Sequence, residues 1–288
     1  MFTTNSIVLS ENITNIFSSL SSTLGQAFNS RFNMLIKKLF ANNEVGFAYD
    51  PNDLSTLYQD AAGTVPVTAA GQPVGLILDK SGRGNHARQT DSACKPKLQR
   101  NATTGAYYLA FDGADDFLQT NAIDFTSTDK VSLFAGVRKL SDAPGMICEL
   151  SNTIASNAGS FTLVSGTDAG GTGYNSTSRG SALASGSLSA KTFTYKAPES
   201  AVLSASHSIS GSLSRIRRNG VYGADGVSDK GTGNFGNYPL YIGRRGGVTV
   251  PFNGHLYSLI GIGRLTTDAE TIALEKSIAK NTGVTLSV

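Results

Sequence analysis

Two short segments, one in each half of the chain, place an Asp-Gly or Asn-Gly pair between aromatic and aliphatic residues. These segments are Phe111–Leu118 and Phe252–Tyr257. Such pairs favour tight reversals between short strands, because glycine accepts the positive φ that many turns require. The two segments therefore predict corners of a β-sandwich built from short antiparallel strands.

The rest of the chain from Val45 onward shows the same alternation of short apolar runs with Gly, Asn, Asp and Ser. A content of 32 glycines and only 16% charged residues suits a turn-rich β protein. Asn219-Gly220 has the residues of a two-residue type I′ hairpin. The predicted strands are Phe47–Asp50, Leu57–Asp60, Val74–Asp79, Tyr107–Phe111, Phe117–Thr120, Val131–Val137, Met146–Leu150, Val202–His207, Leu213–Arg217, Leu240–Gly243 and His255–Gly261. Residues 165–190, rich in Gly, Ser and Thr, are predicted to form loops or exposed edge strands.

An amphipathic helix is predicted over residues 11–41, because apolar residues recur there at spacings of three and four. At 1.5 Å per residue it would be about 45 Å long, too long to cover one face of a compact sandwich. We therefore predict that residues 1–44 form an anchor or a short coiled coil between copies, with 45–288 as the sandwich domain. The alternative is a helix folded back on its own domain. The predicted oligomerisation stripe is Ile13, Ile16, Leu20, Leu24, Phe28, Leu35 and Leu39.

A second, shorter helix is predicted near the C-terminus. Thr267–Glu270 forms a capping box, and Ile272, Leu274 and Ile278 give the helix an apolar face. Gly283 is its predicted end.

Charge and hydropathy limit the classes of partner. A net charge of +3 is too small to indicate nucleic acid. No apolar run reaches the roughly 18 residues of a membrane span, and the N-terminus lacks a basic secretory start. We expect neither a signal peptide nor a membrane span, and the two cysteines, Cys94 and Cys148, are expected to be reduced thiols.

Five phrases in a fixed order resemble laminin-G-like, concanavalin A-like jelly-roll domains. They are Asp79–His86, Leu109–Leu118, Arg217–Val221, Phe252–Tyr257 and Leu265–Glu270. The resemblance extends from Phe47 to Val288. It implies a jelly-roll β-sandwich with one helix before it and a short helix at its end.

The phrase Tyr49–Thr64, followed by Pro66-Val67 and Gly71–Gly75, is similar to lectin-like domains of bacteriophage tail and fibre proteins. This similarity implies a structural virion protein, assembled in the host cytoplasm, that contacts a host-surface glycan. By analogy with phage fibres we expect a homotrimer that joins other virion proteins through its N-terminal helix. We expect the chain not to be an enzyme. A capsid decoration or head-fibre protein and a sandwich-fold polysaccharide-degrading enzyme remain alternatives.

Candidate ligand residues are few. Tyr174, Asn175 and Tyr222 are predicted to lie in exposed loops, where aromatic faces and amides could bind a sugar. The broader fold can bind calcium at its rim, but carboxylates in such turns more often cap backbone N–H groups. The carboxylates concerned are Asp79, Asp112, Asp115 and Asp116.

Catalytic and cofactor chemistry finds little support in the sequence, and no catalytic, metal or cofactor residue is predicted. Gly231–Gly236 fits a dinucleotide motif by its letters, but no helix follows it. A retaining glycosidase needs two carboxylates about 5 Å apart, and Glu149 stands alone in its predicted strand. The three histidines are too scattered for a metal cluster: they are His86, His207 and His255.

Overall fold

The computed structural model describes residues 31–166, 172–183, 188–192 and 194–288. Within these ranges the chain forms seventeen strands and two α-helices. The helices are α1 (residues 31–39) and α2 (Asp268–Thr282). The strands are β1 Gly46–Tyr49, β2 Leu57–Tyr58, β3 Leu76–Ile77, β4 Ala87–Arg88, β5 Lys97–Arg100, β6 Tyr107–Asp112, β7 Leu118–Asp124, β8 Lys130–Lys139, β9 Gly145–Leu150, β10 Ser160–Ser165, β11 Tyr174–Arg179, β12 Ser189–Lys191, β13 Glu199–Ser208, β14 Leu213–Arg218, β15 Val221–Tyr222, β16 Asn237–Ile242 and β17 Asn253–Ile262.

The strands form two antiparallel sheets. The eight-stranded sheet has the order β15-β14-β13-β8-β17-β6-β5, with β1 also paired to β17. The nine-stranded sheet has the order β12-β11-β10-β9-β16-β7-β4-β3-β2. The predicted mainly β sandwich is confirmed.

A continuous apolar core lies between the two sheets, because alternate side chains of each strand point inward. Phe161 lies near its centre, and its ring meets those of Phe125 and Phe235 edge-on, with centroids 5.7 and 5.6 Å away. All three side chains are buried. Burying each one stabilises the fold by about 1.5–3 kcal/mol.

The two segments that first indicated a sandwich lie side by side. Asn253 pairs with Asp112 across β17 and β6. Gly113 forms the predicted turn with a φ of 78°. The second pair is not a turn, since Asn253 and Gly254 begin β17. Gly254 is needed there for space, because a Cβ would lie 2.5 Å from the Arg138 carbonyl oxygen.

Helix α2 packs on the outer face of the eight-stranded sheet. Its predicted capping box is confirmed by reciprocal bonds between Thr267 and Glu270, and Gly283 ends it with a φ of 72°. The helix lies close to β8, since a Cβ on Gly136 would be 2.6 Å from the Ile278 Cγ2. In the described part of the chain, no helix is long and apolar enough to cross a membrane.

Helix α1 packs beside α2 on the same face. Phe32, Ile36, Leu39 and Phe40 are buried in a second apolar cluster with residues of α2, and Leu35 packs against its edge. The described part of the predicted N-terminal helix therefore folds back on its own domain, with only Met34 strongly exposed among its large apolar residues. Oligomerisation and the boundary between 44 and 45 stay predictions. The other stripe residues lie outside the described part: Ile13, Ile16, Leu20, Leu24 and Phe28.

Candidate functional site

A groove of about 160 Å³ opens on the outer face of the eight-stranded sheet, beside the first turn of α2. Cross-strand register builds its floor, because Ser204 of β13 pairs with Arg217 of β14, which pairs with Tyr222 of β15. Residues opposite one another on adjacent strands share a face. We call this surface pocket, which is open beside α2, the Tyr222 groove. Its polar and aromatic lining includes Ser204, Ser206, Arg215, Arg217, Tyr222 and Asp268.

Tyr222 forms the rim of the groove. It is placed there by the predicted hairpin, which is confirmed by positive φ values of 50° at Asn219 and 85° at Gly220. The guanidinium carbons of Arg217 and Arg215 lie 4.6 and 5.4 Å from its ring centroid. These cation–π contacts orient the ring. The side chain is nevertheless 47% exposed, so part of it is available to a ligand.

Both arginines of the groove are already paired with carboxylates. Arg215 Nε and Nη2 donate to Asp225 Oδ2 at 3.1 and 2.7 Å. Arg217 Nε and Nη2 donate to the two oxygens of Glu275 at 3.0 and 3.1 Å. The hydrogen bonds that Arg215 donates to Asp225 raise the pKa of Arg215. The guanidinium groups are therefore fixed in charge and in position.

Glu275 connects the groove to helix α2. Its side chain is fully buried, and its Oε1 also accepts the Ser204 hydroxyl at 2.6 Å. One carboxylate thus joins β13, β14 and α2 beneath the groove floor. Leu213 and Leu265 add aliphatic surface to the lining, and the carboxylate of Asp268 is exposed. An aromatic face with donors and acceptors around it is the chemistry that sugar rings require.

Two of the three residues predicted to bind a ligand lie elsewhere. Tyr174 and Asn175 belong to β11 of the nine-stranded sheet, and both are buried, so the prediction that they lie in an exposed loop is wrong. Tyr174 fills space in the core, and its hydroxyl donates to Glu199. Desolvation by burial, with the charge of Glu199, raises the pKa of Tyr174 well above its ordinary value. The structure places Tyr222 alone of the three at a surface groove.

The Asp79–His86 phrase forms a hydrogen-bonded corner with the start of the Tyr49–Thr64 phrase. Asp79 Oδ1 accepts the N–H groups of Ala48 and Ser81, both at 2.9 Å, and its Oδ2 accepts the N–H of Asn85 at 3.0 Å. The Tyr49 hydroxyl donates to the carbonyl of Asn85. Asp79 therefore organises a loop, which favours the structural role over a calcium site for this residue.

The other acidic corner brings three carboxylates together. Oxygens of Asp112, Asp115 and Asp116 lie within 4.8 Å of one another, near enough to ligate one cation. Two of them also cap the turn, since Asp112 accepts the Ala114 N–H at 2.8 Å and Asp116 accepts the Asp112 N–H at 3.0 Å. Burial, with the charges of its two neighbours, raises the pKa of Asp116 to about 6. The arrangement agrees with the prediction of a carboxylate-capped turn.

Glu149 lies at the centre of the nine-stranded sheet. It pairs with Tyr241 of β16 and Thr162 of β10, and it points away from the core that Cys148 and Leu150 enter. The side chain is fully buried beneath the loop that follows β9. Its Oε1 accepts the Ile154 N–H at 2.5 Å and its Oε2 accepts Arg245 Nε at 2.8 Å. Glu149 anchors this loop over the outer face of the sheet.

The three histidines have separate roles. His86 Nδ1 accepts the Asp79 N–H at 3.0 Å. His207 lies between Ser176 and Ser214 inside the sandwich, and His255 stacks on Tyr108 with centroids 4.0 Å apart. Their positions agree with the prediction that they form no common site.

No family description matches the chain. No curated protein matches it either.

Solved structures do share the fold. A GH54 α-L-arabinofuranosidase soaked with a cyclic sulfate inhibitor has a TM-score of 0.57 at 14% identity, covering 86% of this chain and 64% of that chain. An arabinofuranosidase complexed with arabinofuranosyl-α-1,2-xylobiose has a TM-score of 0.53 at 13% identity, covering 73% and 51%. The third structure is of botulinum neurotoxin type C, whose cell entry depends on interaction with two ganglioside molecules. It has a TM-score of 0.51 at 10% identity, covering 82% of this chain and 52% of that chain.

These likenesses correct one prediction. The expectation of no enzyme treated the sandwich as a binding or building module, and it is wrong because arabinofuranosidases have this same sandwich. This chain spans between half and two thirds of the length of the three structures. At 10–14% identity the likeness establishes the fold alone. The chain is therefore a two-sheet β-sandwich of a kind found in proteins that act on or interact with glycans.

Proposed function

We propose that this chain is a glycan-binding sandwich domain whose Tyr222 groove holds one sugar residue. The observation that carries the proposal is the half-exposed Tyr222 ring, held by two arginines beside hydroxyl and carboxylate groups. The fold supports it, since proteins that act on or interact with glycans share the sandwich.

The groove supports recognition of a single residue rather than of a long chain. Its volume of about 160 Å³ is below the 300–1,000 Å³ of pockets for larger ligands. The apolar face of a sugar ring would lie on Tyr222, and its hydroxyl groups would bond to Asp268 and Ser206. Such a site suits the terminal sugar of a surface glycan.

Replacing Tyr222 by alanine should weaken glycan binding at least tenfold, because it removes the stacking surface. A loss of about 1.4 kcal/mol corresponds to that factor. The measurement is titration of full-length protein with the glycans that an array identifies. Tyr222→Phe keeps the ring and should retain most of the affinity, and Val221→Ala changes an equally exposed neighbour outside the groove. Equal binding by the wild type and Tyr222→Ala would refute the site.

We further propose that the domain serves in a bacteriophage tail or fibre, as a homotrimer that joins other virion proteins through residues 1–44. The support is the similarity of Tyr49–Thr64 to lectin-like virion domains and the apolar residues at helical spacing ahead of α1, from Ile13 to Phe28. A capsid decoration role is the competing assignment. Locating the chain in a purified particle distinguishes tail from capsid.

The second candidate function is polysaccharide hydrolysis. It is favoured by the arabinofuranosidase fold and by Glu149, a carboxylate at the centre of the outer face of the nine-stranded sheet. Hydrolysis there would require the loop after β9 to move, since Glu149 is buried and bonded to Arg245. It would also require a second carboxylate within about 5–10 Å to act as its partner.

The hydrolase hypothesis predicts release of 4-nitrophenol from 4-nitrophenyl α-L-arabinofuranoside, the compound soaked into one arabinofuranosidase neighbour. Glu149→Gln should then lower the rate at least about 100-fold, since a catalytic carboxylate contributes that much or more. Asp124→Asn, on the same sheet, is the matched control. A melting curve shows whether each variant is folded. No release above the rate in buffer would contradict this hypothesis for arabinofuranosides.

A further inference from the structure

We infer that the Tyr222 groove selects a neutral sugar over an acidic one, such as a uronic or sialic acid. This inference rests on the proposed function and specifies the class of ligand. It is carried by the pairing of both arginines with carboxylates, and by a third carboxylate, Asp268, in the lining.

The arginines do not offer a free anion site. Arginine binds carboxylates best through two parallel N–H bonds from one edge of the guanidinium. In Arg215 that edge is occupied by Asp225, and in Arg217 it is occupied by Glu275. The guanidinium carbon of each arginine lies over the Tyr222 ring. An incoming carboxylate would be left with the outer Nη edge of a guanidinium whose charge a carboxylate of the fold already offsets.

The balance of charge is negative. Two guanidinium groups stand against three carboxylates, those of Asp225, Glu275 and Asp268. Asp268 lies in the first turn of α2, where it already satisfies the preference of the helix N-terminus for negative charge. A second anion in the groove would meet Asp268 without a free cation to offset the repulsion.

A neutral sugar finds complementary groups. Asp268 can accept two neighbouring hydroxyl groups, since a carboxylate offers two oxygens and several lone pairs. The Ser206 hydroxyl can donate or accept, and Leu213 and Leu265 cover the C–H surface of the ring. A ring with vicinal hydroxyls and no charge is therefore the ligand class that the lining fits.

The test is an NMR titration of the full chain with methyl glycosides of neutral hexoses and pentoses, and with glucuronic and N-acetylneuraminic acids. Wild type should bind the best neutral sugar at least tenfold more tightly than either acid. Asp225→Asn releases Arg215 and should raise the ratio of acidic to neutral affinity about fivefold, as expected for one partly exposed charge pair. Asp124→Asn, a carboxylate of the other sheet, should leave the ratio unchanged.

The outcomes separate the two proposals. Tighter binding of an acid that is lost in Tyr222→Ala would overturn the neutral preference and leave the glycan site standing. An unchanged ratio in Asp225→Asn would overturn the account of the preference by charge pairing. Binding of neither class would reject the glycan site itself.

Discussion

Replacing Glu275 by alanine is expected to lower the free energy of unfolding by about 3–5 kcal/mol, the usual cost of breaking a buried ion pair from one side. Glu275 is fully buried, and its partner Arg217 keeps only 12% of its side chain exposed. The substitution leaves the guanidinium unpaired and removes the acceptor of the Ser204 hydroxyl. Urea unfolding followed by circular dichroism measures the change.

Two further variants show that the effect comes from the charge pair. Glu275→Gln keeps the shape and one acceptor oxygen, so it should cost less than the alanine variant. Lys276→Ala, an exposed neighbour on α2, should change stability by no more than about 0.5 kcal/mol. If Glu275→Ala costs no more than Lys276→Ala, the carboxylate does not fasten α2 to the sheet.

Turn and cap chemistry predicted much of the fold because it is local. The reversal at Asn219-Gly220 and the capping box at Thr267 depend on residues a few positions apart, and both form as expected. The turn that follows Asp79 is local too, since the Asp79 carboxylate caps the N–H groups of Ser81 and Asn85 within it. Each of these features is encoded within one short segment.

The burial of β11 could not be predicted, because its support comes from distant strands. Its Gly-, Ser- and Thr-rich surroundings indicated a loop or an edge strand. In the structure, Ser176 bonds to His207, and Ser178 lies 3.5 Å from the Ser214 hydroxyl across the sandwich. These contacts satisfy small polar groups inside the core, so a polar strand can be buried.

The Tyr222 groove was only partly foreseen, since it depends on register. Tyr222 was predicted as an exposed aromatic residue, and the alternation of Arg215 and Arg217 in one strand places them on one face. Glu275 looked like an ordinary helix carboxylate, because nothing in the sequence shows that α2 lies across β8 and β13, beside Arg217. The pairing of β13 to β14 and of β14 to β15 brings the groove together.

His207 should make the protein lose stability as pH falls below about 6.5, the ordinary pKa of histidine in an unfolded chain. Its ring is fully buried, with Nε2 2.8 Å from the Ser176 hydroxyl and Nδ1 2.9 Å from that of Ser214. Ser176 also donates to the Thr162 carbonyl at 2.7 Å, which leaves its oxygen to accept from Nε2–H. Ser214 then donates to Nδ1, so this network fits the neutral ring.

Burial, with the charge of Lys230, lowers the pKa of His207 to about 3. Between pH values of about 3 and 6.5 the unfolded chain takes up a proton that the folded chain does not. The free energy of unfolding therefore decreases as the pH is lowered through this window, and it has its full value only above it. At 1.36 kcal/mol for each unit of pKa, the loss between about pH 7 and pH 4 is about 3 kcal/mol. The His207→Gln variant has no group that titrates at this position, so its free energy of unfolding should fall by about 3 kcal/mol less than that of the wild type over the same pH range.

His255, whose pKa burial lowers to about 4, contributes in the same direction, and its own glutamine variant should therefore remove only part of the acid dependence. The wild type and His207→Gln differ at the His207 ring alone. If their unfolding free energies depend on pH in the same way, the buried imidazole is not the source of the loss of stability in acid.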